Sequence, residues 1–295
     1  MIKAFLSTAV LSVFCASFFV GCALNAPPST VSLESEDSSS SEQTDTIETT
    51  VGSDGLSYKI SDDGSFAICT GVGTATATDI VIASHYEGVV VEQIAASAFS
   101  ENAFIENLQI PDGIKIIQQK AFFQCQALTT VEISSTVTEI GAQAFRNCPN
   151  LDSATIEDDN DLNKINLYSF ADCASLTTFV VGDNSALTSI SSYAFLKCRK
   201  MTKFDLGRNS QLKEIGGFSF QHADGLSKFF IPKSVESIGS YAFGGIGYPE
   251  ENGYQSTWIY VEAKSSGALW DGFWNSSNAH VVYERSYDDY LNNNK

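Results

Sequence analysis

A small residue followed by phenylalanine recurs at almost constant intervals through the chain: Ala98-Phe99, Ala121-Phe122, Ala144-Phe145, Ser169-Phe170, Ala194-Phe195, Ser219-Phe220 and Ala242-Phe243. Successive phenylalanines stand 23, 23, 25, 25, 25 and 23 residues apart. Other columns keep step. Five residues before each Phe sits Ile94, Ile117, Ile140, Ile165, Ile190, Ile215 or Ile238, and six residues after it comes Ile105, Leu128, Leu151, Leu176, Met201 or Leu226. An alternating pair then follows: Leu108/Ile110, Val131/Ile133, Ala154/Ile156, Phe179/Val181, Phe204/Leu206 and Phe229/Ile231.

A unit this short cannot bury its own apolar edge, but stacked units bury each other's. The alternating pair has the two-residue period of a strand with both apolar members pointing inward. The sequence therefore predicts a solenoid, mostly β with short helical turns, whose coils each give one strand to a parallel sheet. Eight such strands, from Ile80 to Val261, make a sheet about 35–40 Å long at one strand per ~4.8 Å. The longer coils place their extra residues after that strand, at Asp158-Asp159-Asn160, Asp183-Asn184-Ser185 and Arg208-Asn209-Ser210. These are turn-forming types, so the insertions belong on a loop rim.

The pattern resembles the Treponema-type, or BspA-like, leucine-rich repeat, whose unit runs LxxLxIP, VTxIG, AFxxCxxL. Leu128 to Gly141 reads LTTVEISSTVTEIG, Ala144 to Leu151 reads AFRNCPNL, and Ile231-Pro232 precedes VESIG at Val235 to Gly239. The resemblance covers about Gly55 to Tyr283 and implies a parallel concave sheet between β-rich caps, with residues 51–93 before the repeats, 94–248 as repeats and 249–295 as C-terminal cap and tail. Members of that family are commonly surface proteins or adhesins, which implies a macromolecular partner on a host or neighbouring cell.

The amino terminus reads as an address. Lys3 precedes an apolar run from Ala4 to Val20 that ends at Gly21, the order of a secretory signal over residues 1–21. Cys22 after Phe19-Val20-Gly21 looks like a bacterial lipobox, in which that thiol is lipidated. An uncleaved anchor is the alternative, and the short run without a basic far flank speaks against it. Residues 22–50 are rich in Ser, Thr and acids and predict a disordered tether spanning about 30 Å.

The net charge of −18, from 35 acidic and 17 basic residues, disfavours nucleic acid and anionic membranes as partners. Membrane contact is thus expected only through the lipid. Cys125, Cys148, Cys173 and Cys198 fall three residues after a repeat Phe, where disulfides or a metal ladder are conceivable. The same column holds Asn102, Ala223 and Ile246, so a small packing group is the reading preferred. His85, His222 and His280 accompany no hydrolase or metal motif. The stretch Glu157–Asp161 could hold a hard cation but lacks the spacing and glycine of a calcium loop. No enzyme activity, cofactor or metal is expected.

One constellation on the concave sheet reads as a binding site. The residues between each inward pair run Gln109, Glu132, Thr155, Val180, Asp205, Phe230 and Tyr260; those just before it run Asn107, Thr130, Ser153, Thr178, Lys203, Lys228 and Trp258. Exposed Phe230, Trp258 and Tyr260 beside Lys203 and Lys228 would form a hot spot for a protein or glycan. The competing reading is that the C-terminal cap folds over them. The function expected is a surface-tethered binding module, adhesin or scaffold; a structural cell-envelope lipoprotein without a dedicated ligand is the alternative.

Overall fold

A computed structural model describes residues 50–247, 257–267, 269–277 and 279–293. The chain divides into two units, Met1–Thr46 and Ile47–Lys295. The signal peptide, Cys22 and residues 23–49 of the tether lie outside the described residues. Ile47–Lys295 is a compact unit and contains the described hydrophobic core.

The repeats of this second unit stack into a parallel β-solenoid. On one side lie Asp79–Val81, Asn107–Ile110, Thr130–Ile133, Ser153–Ile156, Thr178–Val181 and Lys203–Asp205, a parallel six-stranded sheet in chain order. Lys228–Ile231, Trp258–Val261 and His280–Tyr283 continue it as a separate parallel three-stranded sheet. The expectation of one unbroken sheet is thus corrected. The break comes just after Asp205, whose carboxylate accepts the Gly207 amide at 3.1 Å while Gly207 turns at φ +65°. That turn ends the strand a residue early.

The repeat isoleucines build the second wall. Val89–Ile94 leads two-residue strands at Ile117, Ile140, Ile165, Ile190, Ile215 and Ile238, and Leu269–Trp270 ends the series. At the N-terminal end an antiparallel hairpin, Ser57–Ile60 with Ala67–Gly71, carries a bulge at Ser57/Tyr58 and joins this sheet where Ala67–Gly71 pairs parallel with Val89–Ile94.

Between the walls runs a column of phenylalanines, all essentially inaccessible to solvent. Phe99, Phe122, Phe145 and Phe170 stack with centroids 5.0 Å apart. In later coils Phe179, Phe204 and Phe229 add a second column meeting the first edge to face. Both geometries are the favourable ones for aromatic pairs, and each buried ring adds roughly 1.5–3 kcal/mol of transfer free energy.

The turn around each Phe forms a third ladder. The residues two before and two after it have left-handed backbones, as in Tyr193 at φ 60° and Lys197 at φ 60°. Such φ values cost a non-glycine residue about 1–2 kcal/mol. Alternating hands turn every second N–H toward the next coil, and the hydrogen bonds offset the cost. Tyr193, Phe195 and Lys197 donate to the carbonyls of Gly217, Ser219 and Gln221 at 2.8–3.0 Å. Because the left-handed residue throws its side chain outward, this ladder fixes what the turn face displays.

Candidate functional site: an outer aromatic stripe

The early concave sheet displays polar groups. Gln109, Glu132 and Thr155 are exposed, and Asn107 is held by Thr130 Oγ1 at 2.6 Å while its own amide donates to Asp79 at 2.6 Å. A cleft of about 350 Å³ opens there, lined in part by Asp112, Glu132, Thr155 and Glu157.

At the other end the chain closes its own concave face. After the strand His280–Tyr283 it turns into a short helix, Tyr287–Leu291, begun by a capping box between Ser286 and Asp289. Tyr290 packs against Phe230 and Tyr260, with ring centroids 5.8 Å from each. Phe230 is left 6% exposed and Tyr260 1%. The Tyr287 hydroxyl donates to Asp205 at 2.5 Å, and the Tyr290 hydroxyl donates to the Phe204 carbonyl at 3.3 Å. Lys228 Nζ donates to the Tyr290 carbonyl at 3.0 Å and lies 4.6 Å from that ring's centre. Arg208 pairs with Asp288 at 2.9 Å.

Burial, and then the Asp205 carboxylate, push the Tyr287 phenol far above its ordinary range, so it remains a donor. Burial also lowers the Lys228 ammonium. The expectation of Phe230 and Tyr260 as an exposed hot spot is therefore corrected: the C-terminal cap covers them, because Tyr287 and Tyr290 supply the apolar surface and hydrogen bonds that those strand ends lack. Trp258 is half-buried and stacks on His280 at 4.6 Å. Of the five residues only Lys203 is exposed, and it lies 3.4 Å from Asp205.

An apolar surface that strand periodicity does not flag lies on the turn face. The left-handed position two before each Phe is Ser97, Lys120 and Gln143 in the first coils, then Tyr168, Tyr193, Phe218 and Tyr241. Their rings stack outside the solenoid at 4.7, 5.0 and 5.3 Å, and Phe273 of the last coil adds a fifth ring at 6.0 Å. The stripe is thus about 20 Å long. The Arg146 guanidinium covers its first ring at 4.9 Å. Tyr241 is 39% exposed and Phe273 63%, and exposed Leu167 and Lys197 lie on the turns of Tyr168 and Tyr193. The switch from Ser, Lys and Gln to aromatics was readable in the sequence. What a strand-and-core reading lacks is the left-handed backbone that aims this column outward.

The remaining candidates are engaged in structure. Asp158 accepts the Asp183 amide at 2.7 Å, Asp159 accepts Asn184 Nδ2 at 2.8 Å, and Asn184 in turn accepts Asn209 Nδ2 at 2.7 Å. The loop rim is thus a hydrogen-bonded ladder between coils. His85 lies in the N-terminal cap against Ser84 at 3.1 Å, His222 on a repeat turn, and His280 on the last strand; they do not converge.

Cys125, Cys148, Cys173 and Cys198 are free and buried, as is Cys69. Each of the four ladder thiols donates to a phenylalanine carbonyl of the preceding coil, at 3.1–3.2 Å. This is a use that Ala223 cannot share. Burial pushes Cys69 from its ordinary 9.0 up to about 12, and holds Cys148 and Cys198 well above 9.0. Because the folded values are raised, the stability that these buried neutral thiols contribute is intact below about pH 9 and is lost as the pH climbs toward 12. Iodoacetamide at pH 8 should leave all five thiols unmodified in native segment 47–295 and modify all five once it is unfolded without reductant. Mass spectrometry showing native labelling, or a linked pair, would contradict this.

Two parallel ladders, a buried phenylalanine column and a turn ladder of left-handed residues define the class: a leucine-rich-repeat β-solenoid. The chain belongs to the family carrying the BspA type leucine rich repeat region, which matches in six copies over residues 92–210 and 159–248. A leucine-rich repeat protein from Eubacterium ventriosum ATCC 27560 has a similar solved structure, at 24% identity and TM-score 0.51. The match covers 66% of this chain and 54% of that one, so the chain spans about half the length of that relative. A leucine rich cell surface protein from Faecalibacterium prausnitzii A2-165 matches at 21% identity and TM-score 0.37, over 72% of this chain and 61% of that one. A T. pallidum leucine rich repeat protein matches at 19% and 0.38, over 81% and 91%. No curated protein matches the chain.

Proposed function

We propose that the chain is a surface-tethered binding module that is lipidated at Cys22 and holds a protein partner against its outer aromatic stripe. The observation that carries this reading is the run of five stacked rings on the turn face, ending in Phe273 at 63% exposure. Large apolar side chains left at a surface and flanked by a cation are what an interface core needs. Adjacent rings cover one another's faces and present their edges. Edges suit the aliphatic and aromatic side chains of a protein better than the flat face-on stacking of a sugar. Phe230, Tyr260 and Lys228 serve in this reading to dock the chain's own helix. Family membership and the lipobox-like N-terminus support placement at a bacterial cell surface.

Two measurements test it. The double variant Tyr193→Ser/Phe218→Ser of segment 47–295 should bind surface proteins of host or neighbouring cells at least about tenfold more weakly than the parent, roughly 1.4 kcal/mol. Unchanged protein binding, or loss confined to a glycan array, would overturn the stripe as a protein site. For the anchor, Cys22→Ala in the full chain should move the protein from the detergent to the aqueous phase on partitioning. A variant that stays in the detergent phase contradicts lipidation.

A further inference from the structure

We propose that the C-terminal end of the solenoid is a self-association face through which two copies pair tail to tail about a two-fold axis. This goes beyond the binding role and does not depend on it, although the two surfaces meet at Phe273. The two ends of the molecule are built differently. At the N-terminal end the edge strand Ser57–Ile60 is part of a hairpin with a bulge and an exposed Lys59. The other wall's edge strand, Asp79–Val81, is covered by Ser53, whose amide donates to the Val81 carbonyl at 2.8 Å while its hydroxyl accepts the Val81 amide at 2.9 Å. A bulge, an edge lysine and a covering segment are the devices by which proteins keep a sheet edge from pairing.

The C-terminal end has none of these among its described residues. The one wall stops at Leu269–Trp270 and the other at His280–Tyr283, each the last strand of its sheet. Neither strand contains a lysine or proline, and neither pairing is bulged. The register sends the N–H groups of alternate residues to the preceding strand, His280 donating to the Thr257 carbonyl at 2.8 Å. The amides of Val281 and Tyr283 therefore point away from the coil. Leu269, 70% exposed, and Phe273, 63% exposed, belong to this last coil.

An occupant of this end must offer strand edges at two places separated by the width of the core, together with apolar groups for Leu269 and Phe273. A second copy does so by symmetry. A two-fold axis lying in the end plane, running from one wall to the other, sets each edge strand antiparallel to its counterpart. Head-to-tail stacking is blocked because the N-terminal edges are already protected, so the contact closes as a dimer and does not propagate as a fibre. A coil end of about 20 by 25 Å gives roughly 1,000 Å² buried in total, at the lower limit of a specific interface. The pairing is therefore expected to be weak and concentration-dependent.

Segment 47–295 should sediment at twice the protomer mass at about 100 µM and revert to the protomer on dilution toward 1 µM, the range of a micromolar Kd. Leu269→Lys/Phe273→Lys should remain protomeric throughout while keeping the parent's melting temperature to within a few degrees. Tyr193→Ser, in the middle of the stripe, should pair as the parent does, which separates this face from the proposed partner site. A parent that sediments as a protomer at every concentration overturns the proposal. So does a folded Leu269→Lys/Phe273→Lys variant that still pairs. If that variant melts early, exchange in the parent decides instead: the Val281 and Tyr283 amides should exchange more slowly at 100 µM than at 1 µM, and equal rates would sink the pairing.

Discussion

Phe195→Ala should destabilise segment 47–295 by about 3–5 kcal/mol, the usual cost of emptying a phenylalanine site in a core that cannot collapse around it. Phe195 is fully buried, stacks on Phe170 at 5.4 Å and Phe220 at 5.3 Å, and meets the edges of Phe179 at 4.8 Å and Phe204 at 5.1 Å. Four rings therefore line the cavity. Their positions are pinned by backbone ladders on three sides of the coil, so relaxation is limited. Thr130→Ala, on the polar sheet face, should cost under about 0.5 kcal/mol. A urea titration of both variants checks the register directly, and equal shifts in midpoint would refute it.

The second large effect is expected where the chain covers itself. Tyr290→Ala removes the ring that seals Phe230 and Tyr260 and the hydroxyl that reaches the Phe204 carbonyl. The loss should be about 3 kcal/mol, within the range for large-to-small changes at buried aromatics. Phe230 and Tyr260 would then face solvent, so binding of a hydrophobic dye should rise together with the fall in melting temperature. Arg208→Ala breaks only an exposed ion pair with Asp288 and should change stability by less than about 1 kcal/mol. A Tyr290→Ala protein that melts like the parent and binds no dye would mean that the helix is not the cover described.

The fold was largely legible because its cause is periodic. The Phe, Ile and Leu columns each recur once per coil, and stacking is the one arrangement that buries all of them. The inward pairs, the loop-rim insertions and the cysteine column as a packing position follow from the same argument. Two features had no periodic signature. The sheet break after Asp205 coincides with a local turn, in which that one side chain accepts the Gly207 amide. Burial of Phe230 and Tyr260 depends on a segment some thirty residues or more downstream, outside the repeat, whose YDDY gives no sign of which face it will cover. The outer stripe failed to stand out for a different reason. Tyr168, Tyr193, Phe218 and Tyr241 form a column as regular as the core Phe, and only the left-handed backbone of the turn tells that they point outward.

The most direct test of the central claim, that the outer stripe carries the partner, is a hydrogen-exchange footprint of segment 47–295 with and without that partner. Protection is expected in the turns around Leu167–Tyr168, Ser192–Tyr193, Gly217–Phe218 and Ser240–Tyr241. The concave strands Asn107–Ile110, Thr130–Ile133 and Ser153–Ile156 should exchange as in the free protein. Protection on those strands, with the turns unchanged, would place the partner on the concave sheet and contradict the account.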